Sequence, residues 1–378
     1  MRTRIIFLLA TVQALLFASH WFVYRTWTAL HPAAVPALDP PGVSWLGVAT
    51  AFLSVTFITA SLLAWRYSAL PVRVYYTSAA VWLGFFNFYF LAACASWIFY
   101  GLASVLRVPG QREHIAFLFF GIATAAGAYG LVNSMRVRVR RVAVKLTNLP
   151  AIWRGRIAAL VTDTHLGHVR GVRFAERVVS MVSRLRPDIV LIGGDLYDGT
   201  AADDRKLAAP LSRLSPPLGT YFIAGNHEAF GDRSKYFEAV AAAGVRVLDN
   251  EKVVLDGLQL VGVHHRDAAR PDRLRAILQN ARLDRNSASV LLTHAPDQPA
   301  VAADEGIGLM LAGHTHGGQF FPYTWFTSRI YGALVHGLNR LGSLHVYTSS
   351  GAGTWGPPLR VGTNPEIVLL TFDESRET

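Results

Sequence analysis

The alternation of apolar and polar positions divides this chain into two unlike parts. Residues 5–24, 40–65, 74–106 and 115–135 form four apolar stretches without a single Asp, Glu, Lys or Arg. A bilayer crossing takes about 20 apolar residues, and backbone in hydrocarbon must satisfy its own hydrogen bonds. The pattern therefore predicts an all-α region of four transmembrane helices over about 5–24, 44–65, 76–104 and 115–135. The third stretch is longer than one crossing needs and contains Gly84 and Asn87, so a tilt, an extension past the lipid or a break all remain open. Arg2 and Arg4 ahead of the first stretch would also suit a secretory signal peptide. No small-x-small cleavage site follows and three more stretches do, which favours a span.

From about residue 146 the period changes. Short runs rich in Val, Ile and Leu (Ile157–Thr162, Ile189–Ile192, Thr220–Ala224, Gln259–Val263, Ser289–Thr293, Leu309–Ala312) alternate with helical stretches at Val172–Leu185, Asp203–Leu214, Arg233–Ala243 and Pro271–Asn280. Interleaved strands and helices predict an α/β domain over residues 150–378. Two later strands, Leu344–Thr348 and Glu366–Phe372, make the sheet mixed. Between the halves, residues 136–149 form a basic segment. Its start, Met135–Lys145, alternates Arg with Val and suits either a solvated strand edge or a stretch lying against anionic headgroups.

Composition sharpens this picture in three ways. With 52% apolar and 16% charged residues the chain is no disordered polymer. Its net charge of +11 is lopsided: residues 1–145 hold 12 basic and 2 acidic side chains, and the remainder 24 and 23. The basic excess thus borders the apolar stretches rather than the polar domain, which disfavours nucleic acid as a partner and points to the lipid bilayer. Nine Arg or Lys (Arg2, Arg4, Arg66, Arg73, Arg136, Arg138, Arg140, Arg141, Lys145) fall on one side of a four-span arrangement, against Arg25, Arg107 and Arg112 on the other. The expectation is a multi-pass membrane protein, in a bacterial cytoplasmic membrane, with its polar α/β domain on the cytoplasmic side. A transporter is disfavoured, because the spans lack ionisable residues that would mark a pathway. Cys94 is the lone cysteine, so neither a disulfide framework nor a thiolate metal site is available.

The chemistry collects at strand ends, where α/β sheets place their binding loops. Asp163-Thr-His165, Gly194-Asp195-Leu-Tyr-Asp198, Gly225-Asn226-His227-Glu228, His294 and Gly313-His314-Thr-His316 each close a strand. One such block would be an ordinary turn. Five in succession put many titratable groups where burial is costly unless a metal or partners satisfy them. Carboxylate, imidazole and amide donors without thiolate suit Mn, Fe, Zn or similar ions. A carboxylate able to bridge, Asp195, points to a pair of divalent metals as used in phosphoryl ester hydrolysis.

This succession of blocks resembles the calcineurin-like metallophosphoesterase superfamily. The phrases Gly313–Gln319 and Ser350–Pro358 look like its bacterial YkuE/YaeI-type branch. The four-span layout is similar to the transmembrane proteins with a metallophosphoesterase domain. The resemblance implies a four-layer α/β/β/α sandwich. It implies that Asp163, His165 and His316 hold one metal and Asn226, His294 and His314 the other, with Asp195 bridging. His227 would protonate the leaving oxygen of a phosphorylated substrate. Asp198 and Glu228 stand between orienting and plain turn roles, and Arg360 between a phosphate contact and a structural ion pair. His264-His265 stands between a surface turn, which is favoured, and lining the site, and Phe320, Phe321, Tyr323, Trp325 and Phe326 are divided between core packing and an apolar entry or surface at the membrane interface. The expected activity is hydrolysis of a phosphate ester or pyrophosphate by hydroxide held at two metals. The membrane anchor suggests a lipid-linked substrate, by analogy with enzymes that cleave UDP-2,3-diacylglucosamine. Soluble nucleotides, or a non-enzymatic metal-binding scaffold, are the alternatives. Oligomeric state is not legible.

Overall fold

The computed structural model describes residues 2–31, 44–108, 112–229 and 233–374. They form two compact units, one of residues 1–132 with 356–359 and one of 133–355 with 360–378. The first unit is built from α1 (Arg2–Leu30), α2 (Trp45–Arg66), α3 (Leu70–Val105) and α4 (Arg112–Ser134), whose last two residues belong to the second unit. All four helices are long and apolar enough to cross a membrane. The start of the second apolar stretch, residues 40–43, lies outside the described residues.

Two helices run beyond the charge-free stretches. α1 continues past Arg25 to Leu30, and α3 begins at Leu70, ahead of Arg73. With 36 residues α3 is about 54 Å long at 1.5 Å per residue, so it exceeds the roughly 30 Å of hydrocarbon. It is unbroken at Gly84 and Asn87. Gly84 is there for close approach: a Cβ at that position would lie 2.3 Å from a methyl of Leu359, which the same unit includes. Polar side chains join the helices where hydrocarbon offers no other partner. Gln13 Nε2 donates to the Ser54 carbonyl (3.1 Å) and Trp97 Nε1 to Thr26 Oγ1 (2.8 Å). His20 is an ionisable side chain within the first apolar stretch that the sequence expectation passed over. It is buried, stacked on Phe86, and accepts from Trp82 Nε1 at 3.0 Å.

In chain order the second unit contains β1 (Arg138–Leu146), β2 (Ile157–Val161), α5 (Val172–Leu185), β3 (Ile189–Ile192), α6 (Asp204–Ala208), β4 (Thr220–Phe222), α7 (Arg233–Ala242) and β5 (Arg246–Val247). There follow β6 (Glu251–Leu255), β7 (Leu258–Gly262), α8 (His265–Ala268), α9 (Pro271–Asn280), β8 (Ser289–Leu292), α10 (Pro299–Asp304), β9 (Leu309–Ala312), α11 (Tyr323–Tyr331), β10 (Gly337–Leu341), β11 (Leu344–Thr348) and β12 (Glu366–Glu374). They make two six-stranded sheets, β1-β12-β2-β3-β4-β5 and β10-β11-β9-β8-β7-β6. Both are mixed: β12 runs antiparallel to β2 while β2, β3 and β4 are parallel, and β11, β9, β8 and β7 are parallel between antiparallel edges. The Arg-Val alternation is an edge strand, with Arg138 opposite Glu366 in a parallel ladder.

The continuous apolar runs follow from burial on both faces. Leu160 of β2, Ile189 and Leu191 of β3 and Leu309 and Leu311 of β9 point between the sheets. Their neighbours Ala159, Val161, Val190 and Ile192 point outward under α5, α6 and α7. Met310 packs outward on the other side with Leu274 and Leu278 of α9. Three cores thus separate four layers, an α/β/β/α sandwich. The stretch expected to be one helix at Asp203–Leu214 is instead α6 followed by a 3-10 turn, Ala209–Arg213, because Pro210 supplies no backbone donor.

Trp153 anchors the inter-sheet core. It is fully buried, donates Nε1 to the Leu255 carbonyl (2.8 Å) and meets Phe372 edge-on at 5.4 Å. Trp153→Ala should cost about 3–5 kcal/mol and lower the melting temperature of the detergent-purified chain by roughly 6–12 °C, measured by intrinsic fluorescence; a shift below 2 °C would contradict this packing role.

Candidate metal centre

The loops leaving β2, β3, β4, β8 and β9 meet at one edge of the sandwich, so both sheets contribute. Backbone bonds bind the loops in register: Asp163 N donates to the Gly194 carbonyl (3.1 Å), His165 N to that of Asp195 (3.1 Å) and Gly313 N to that of His294 (2.7 Å). Asp163, His165, Asp195, His314 and His316 all have positive φ (52, 47, 50, 70 and 50°). For residues with a Cβ that conformation is uncommon and costs of order 1–3 kcal/mol each, a strain that collects at functional sites. Gly313 lets the site close. A Cβ there would lie 2.2 Å from Asp163 Oδ2.

Two groups of donors face each other across Asp195. In one, His165 Nε2 lies 3.0 Å from His316 Nε2, which is 3.6 Å from Asp163 Oδ1. In the other, His294 Nε2 lies 3.0 Å from Asn226 Oδ1 and 3.1 Å from His314 Nδ1. Asp195 Oδ2 is 3.3 Å from His294 Nε2 and 3.8 Å from His165 Nε2. His227 sits beside them, its Nε2 3.9 Å from the same oxygen. All seven residues expected as ligands therefore converge, together with His227.

These separations suit cations. With bonds of about 2.1 Å, ligand atoms stand about 3.0 Å apart along an octahedral edge and about 3.4 Å along a tetrahedral one. Donor atoms within each of three groups, Asp163-His165-His316, His165-Asp195-His227 and Asp195-His294-His314, lie within 4.8 Å of one another. The charge balance agrees. Burial pushes the Asp163 carboxyl up to about 6, against the pull of His294 and with a further push from Asp195. Burial, then Asp195, pushes Glu228 up to about 7. Burial holds His165 and His316 well below the usual imidazole range, and burial with the His294 charge holds His314 at about 3. Their lone pairs are thus free to bind. His294 differs: burial opposes its charge, but Asp195 overrides this and raises it to about 10.

Hydrogen bonds to carbonyls set the tautomers. His294 Nδ1 donates to the Gly193 carbonyl (3.0 Å) and His227 Nδ1 to that of Asp198 (2.9 Å), which turns each Nε2 into the cluster. Asp198 therefore orients His227 through its backbone, while its carboxylate accepts from Thr200 N (2.7 Å) and braces the turn. Glu228 holds the loops, accepting from the backbone N–H groups of Gly225 (2.7 Å), Asp195 (3.0 Å) and Tyr197 (3.1 Å).

One expectation needs correction and two that were open are narrowed. Arg360, read as a phosphate contact or a structural ion pair, forms no ion pair among the described residues and points inward. It is fully buried, donates to the carbonyls of His316 (2.6 Å), Ser350 (2.7 Å) and Gly353 (2.6 Å), and its Nη2 lies 3.1 Å from His316 Nδ1. Of the two readings of His264-His265, the geometry favours the one that lines the site for His265: its ring centroid lies 5.4 Å from that of His314 and 5.5 Å from that of His294, while His264 pairs with Asp267 at 3.1 Å. Of the aromatic residues after the last histidine block, Phe320 is buried and Phe321, Tyr323, Trp325 and Phe326 are exposed. Sequence reasoning did not single out Trp355, whose exposed ring stands 6.0 Å from that of His227; an aromatic beside a Gly-Pro-Pro turn was the available signal.

The fold and the site together describe a metallophosphoesterase. Residues 158–318 match the family model of calcineurin-like phosphoesterases. The chain is 31% identical to an uncharacterized metallophosphoesterase of Helicobacter pylori strain J99, over 78% of this chain and 80% of that one. It is 32% identical to the zebrafish (Danio rerio) transmembrane protein with metallophosphoesterase domain, over 67% and 62%, and 28% identical to YkuE of Bacillus subtilis, over 71% and 99%. A solved chain titled as GAP50, the anchor in the inner membrane complex of Plasmodium, matches at a TM-score of 0.36 and 8% identity over 57% of this chain and 79% of its own, a likeness too slight to add to this. The chain belongs to the calcineurin-like metallophosphoesterase family.

Arg360→Met tests the corrected role of the buried cation. Leaving three carbonyls without donors should cost about 3 kcal/mol or more, read as a fall in melting temperature; an unchanged melt with a raised KM alone would restore the phosphate-contact reading.

Proposed function

We propose that this chain is a metal-dependent phosphoesterase with two divalent cations at the loop cluster. Asp163, His165 and His316 would hold one, Asn226, His294 and His314 the other, and Asp195 would reach both. The observation that carries the reading is the place of Asp195 Oδ2, 3.3 Å from His294 Nε2 and 3.8 Å from His165 Nε2 and so within reach of both donor groups. Bound there, such cations offset charge on phosphoryl oxygens and make hydroxide available near neutral pH. The chain's own residues do the rest. His227, fixed through Nδ1, presents Nε2 where a protonated imidazole can give its proton to a leaving oxygen. Trp355 places an exposed apolar ring 6.0 Å from that of His227, where it could contact an apolar part of the substrate.

The finer reading is an amphiphilic, lipid-linked phosphate ester or pyrophosphate as substrate. Four apolar helices in the same chain support it, as does the exposed aromatic run from Phe321 to Phe326 directly after the last histidine block. The arginine distribution supports a catalytic unit on the cytoplasmic side, which a C-terminal reporter fusion tests.

Assayed with Mn on bis-p-nitrophenyl phosphate, the detergent-purified chain should turn over. Asp195→Ala should lose both activity and bound metal, and His227→Ala should keep its metal while losing about 10²–10⁴ in kcat. Metal retention without turnover in the unaltered chain would leave only a scaffold. Activity on soluble nucleotides but not on lipid diphosphates would defeat the lipid-linked reading.

His294, raised to about 10, carries a proton at pH 7.5 that a metal must displace. Mn uptake by chelator-treated protein at pH 7.5 in weak buffer should therefore release about one proton per chain. Affinity should climb by about tenfold per pH unit below 10, and pH-independent uptake with no proton release would count against His294 as a ligand.

A further inference from the structure

The second unit has a further polar cavity of about 440 Å³, between β1 and α11, whose lining includes none of the seven donors. Arg138, Arg140, Thr324, Ser328, His336 and Glu366 are among its lining residues. Strand period explains why both arginines reach it. Val142, Val144 and Leu146 of β1 point into or against the inter-sheet core, so Arg140 and Arg138 emerge from the same face where that core ends. Neither guanidinium has an ion pair or hydrogen bond among the described residues. The one acid in the cavity is already engaged: Glu366 accepts from Ser350 N (3.1 Å), His336 Nε2 (3.2 Å) and the Tyr347 hydroxyl (3.3 Å). The cavity therefore offers two exposed cations without an ion-pair partner among the described residues and several hydroxyls, which is chemistry that suits a phosphate group.

The other wall identifies the ligand more closely. Thr324 and Ser328, one turn apart on α11, face the cavity, while no residue of α11 is buried. Trp325, Phe326 and Ile330 are 50, 51 and 74% exposed, so the helix has one polar wall and an uncovered apolar surface, the signature of an element that lies in a membrane interface. A free anion would satisfy the arginines and leave that apolar surface in water. A phospholipid satisfies both. Its setting agrees: Arg136, Arg138, Arg140, Arg141 and Lys145 follow directly on the last of four membrane-spanning-type helices, where a run of cations complements an anionic leaflet.

We propose that the cavity between β1 and α11 binds the headgroup of an anionic phospholipid, with α11 lying in the interface beside it. None of the seven donors lines this cavity, although Gly317, which follows His316 directly, does, and the proposal does not depend on the catalytic reading.

The test uses the full chain in phosphatidylcholine nanodiscs containing an equal fraction of either phosphatidylglycerol or phosphatidylcholine with brominated acyl chains. Subtracting the emission of Trp325→Phe from that of the unaltered chain isolates Trp325. Brominated phosphatidylglycerol should quench Trp325 at roughly tenfold lower mole fraction than brominated phosphatidylcholine. Arg138→Gln/Arg140→Gln should remove that preference while leaving melting temperature and turnover of bis-p-nitrophenyl phosphate unchanged. Equal quenching by the two lipids in the unaltered chain, or none by either, would overturn the proposal without recourse to any variant in the strand. So would inorganic phosphate binding that depends on Arg138 and Arg140 in a chain showing no lipid preference, since the ligand would then be a soluble anion.

Discussion

The structure is organised around a collection of charge that a folded protein would ordinarily avoid. Asp195 lies within reach of His165, His227 and His294, and Asp163 and Glu228 are buried within the same small volume. Without partners, such groups are expensive to take out of water. The fold tolerates them because each is held by several bonds at once. Asp195 Oδ1 accepts from His227 N, Asp163 from His314 N, and Glu228 from three backbone N–H groups. The residual imbalance, with Asp163 and Glu228 pushed up by burial, Asp195 held against the effect of burial well below the usual carboxylate range by His294, and most imidazoles pushed down, is what divalent cations would relieve.

This constraint explains features that look unconnected along the chain. The donors come from three strands of one sheet and two of the other, so the inter-sheet core that Trp153 helps to close also sets their separations. The left-handed backbone at five of the seven donors and the absence of a side chain at Gly225 and Gly313 serve the same convergence: a Cβ at Gly225 would lie 2.2 Å from Asp195 Oδ1. Buried Arg360 extends it outward, tying the loop of Ser350 and Gly353 to the backbone and ring of His316.

Much of this was legible before any coordinates. Continuous apolar runs ending in Gly, Asp, Asn or His mark strands buried on both faces with loops that carry donors, and α5, α9, β3, β9 and β11 begin and end where the pattern places them. What was misread or left open shares a cause. Arg360, Trp355, Glu228 and His265 act through neighbours that the local sequence does not announce, and nothing local distinguishes a buried guanidinium from one aimed at phosphate. His20 was passed over because a single histidine barely disturbs an apolar average, yet its stacking on Phe86 and bond to Trp82 show a specific place in the bundle.

The amino-acid sequence by itself determined the division into apolar helices and α/β layers, the residue types at the strand ends and hence the class of chemistry. These are properties of periodicity and side-chain identity, which are local. Only the tertiary structure decided which donors share a face of Asp195, that Arg360 points inward, that His265 joins the cluster, and that Arg138 and Arg140 open into a cavity under an uncovered aromatic helix. Each of those outcomes depends on where two sheets and their loops meet, and packing between residues distant in the chain, rather than pattern along it, sets that meeting.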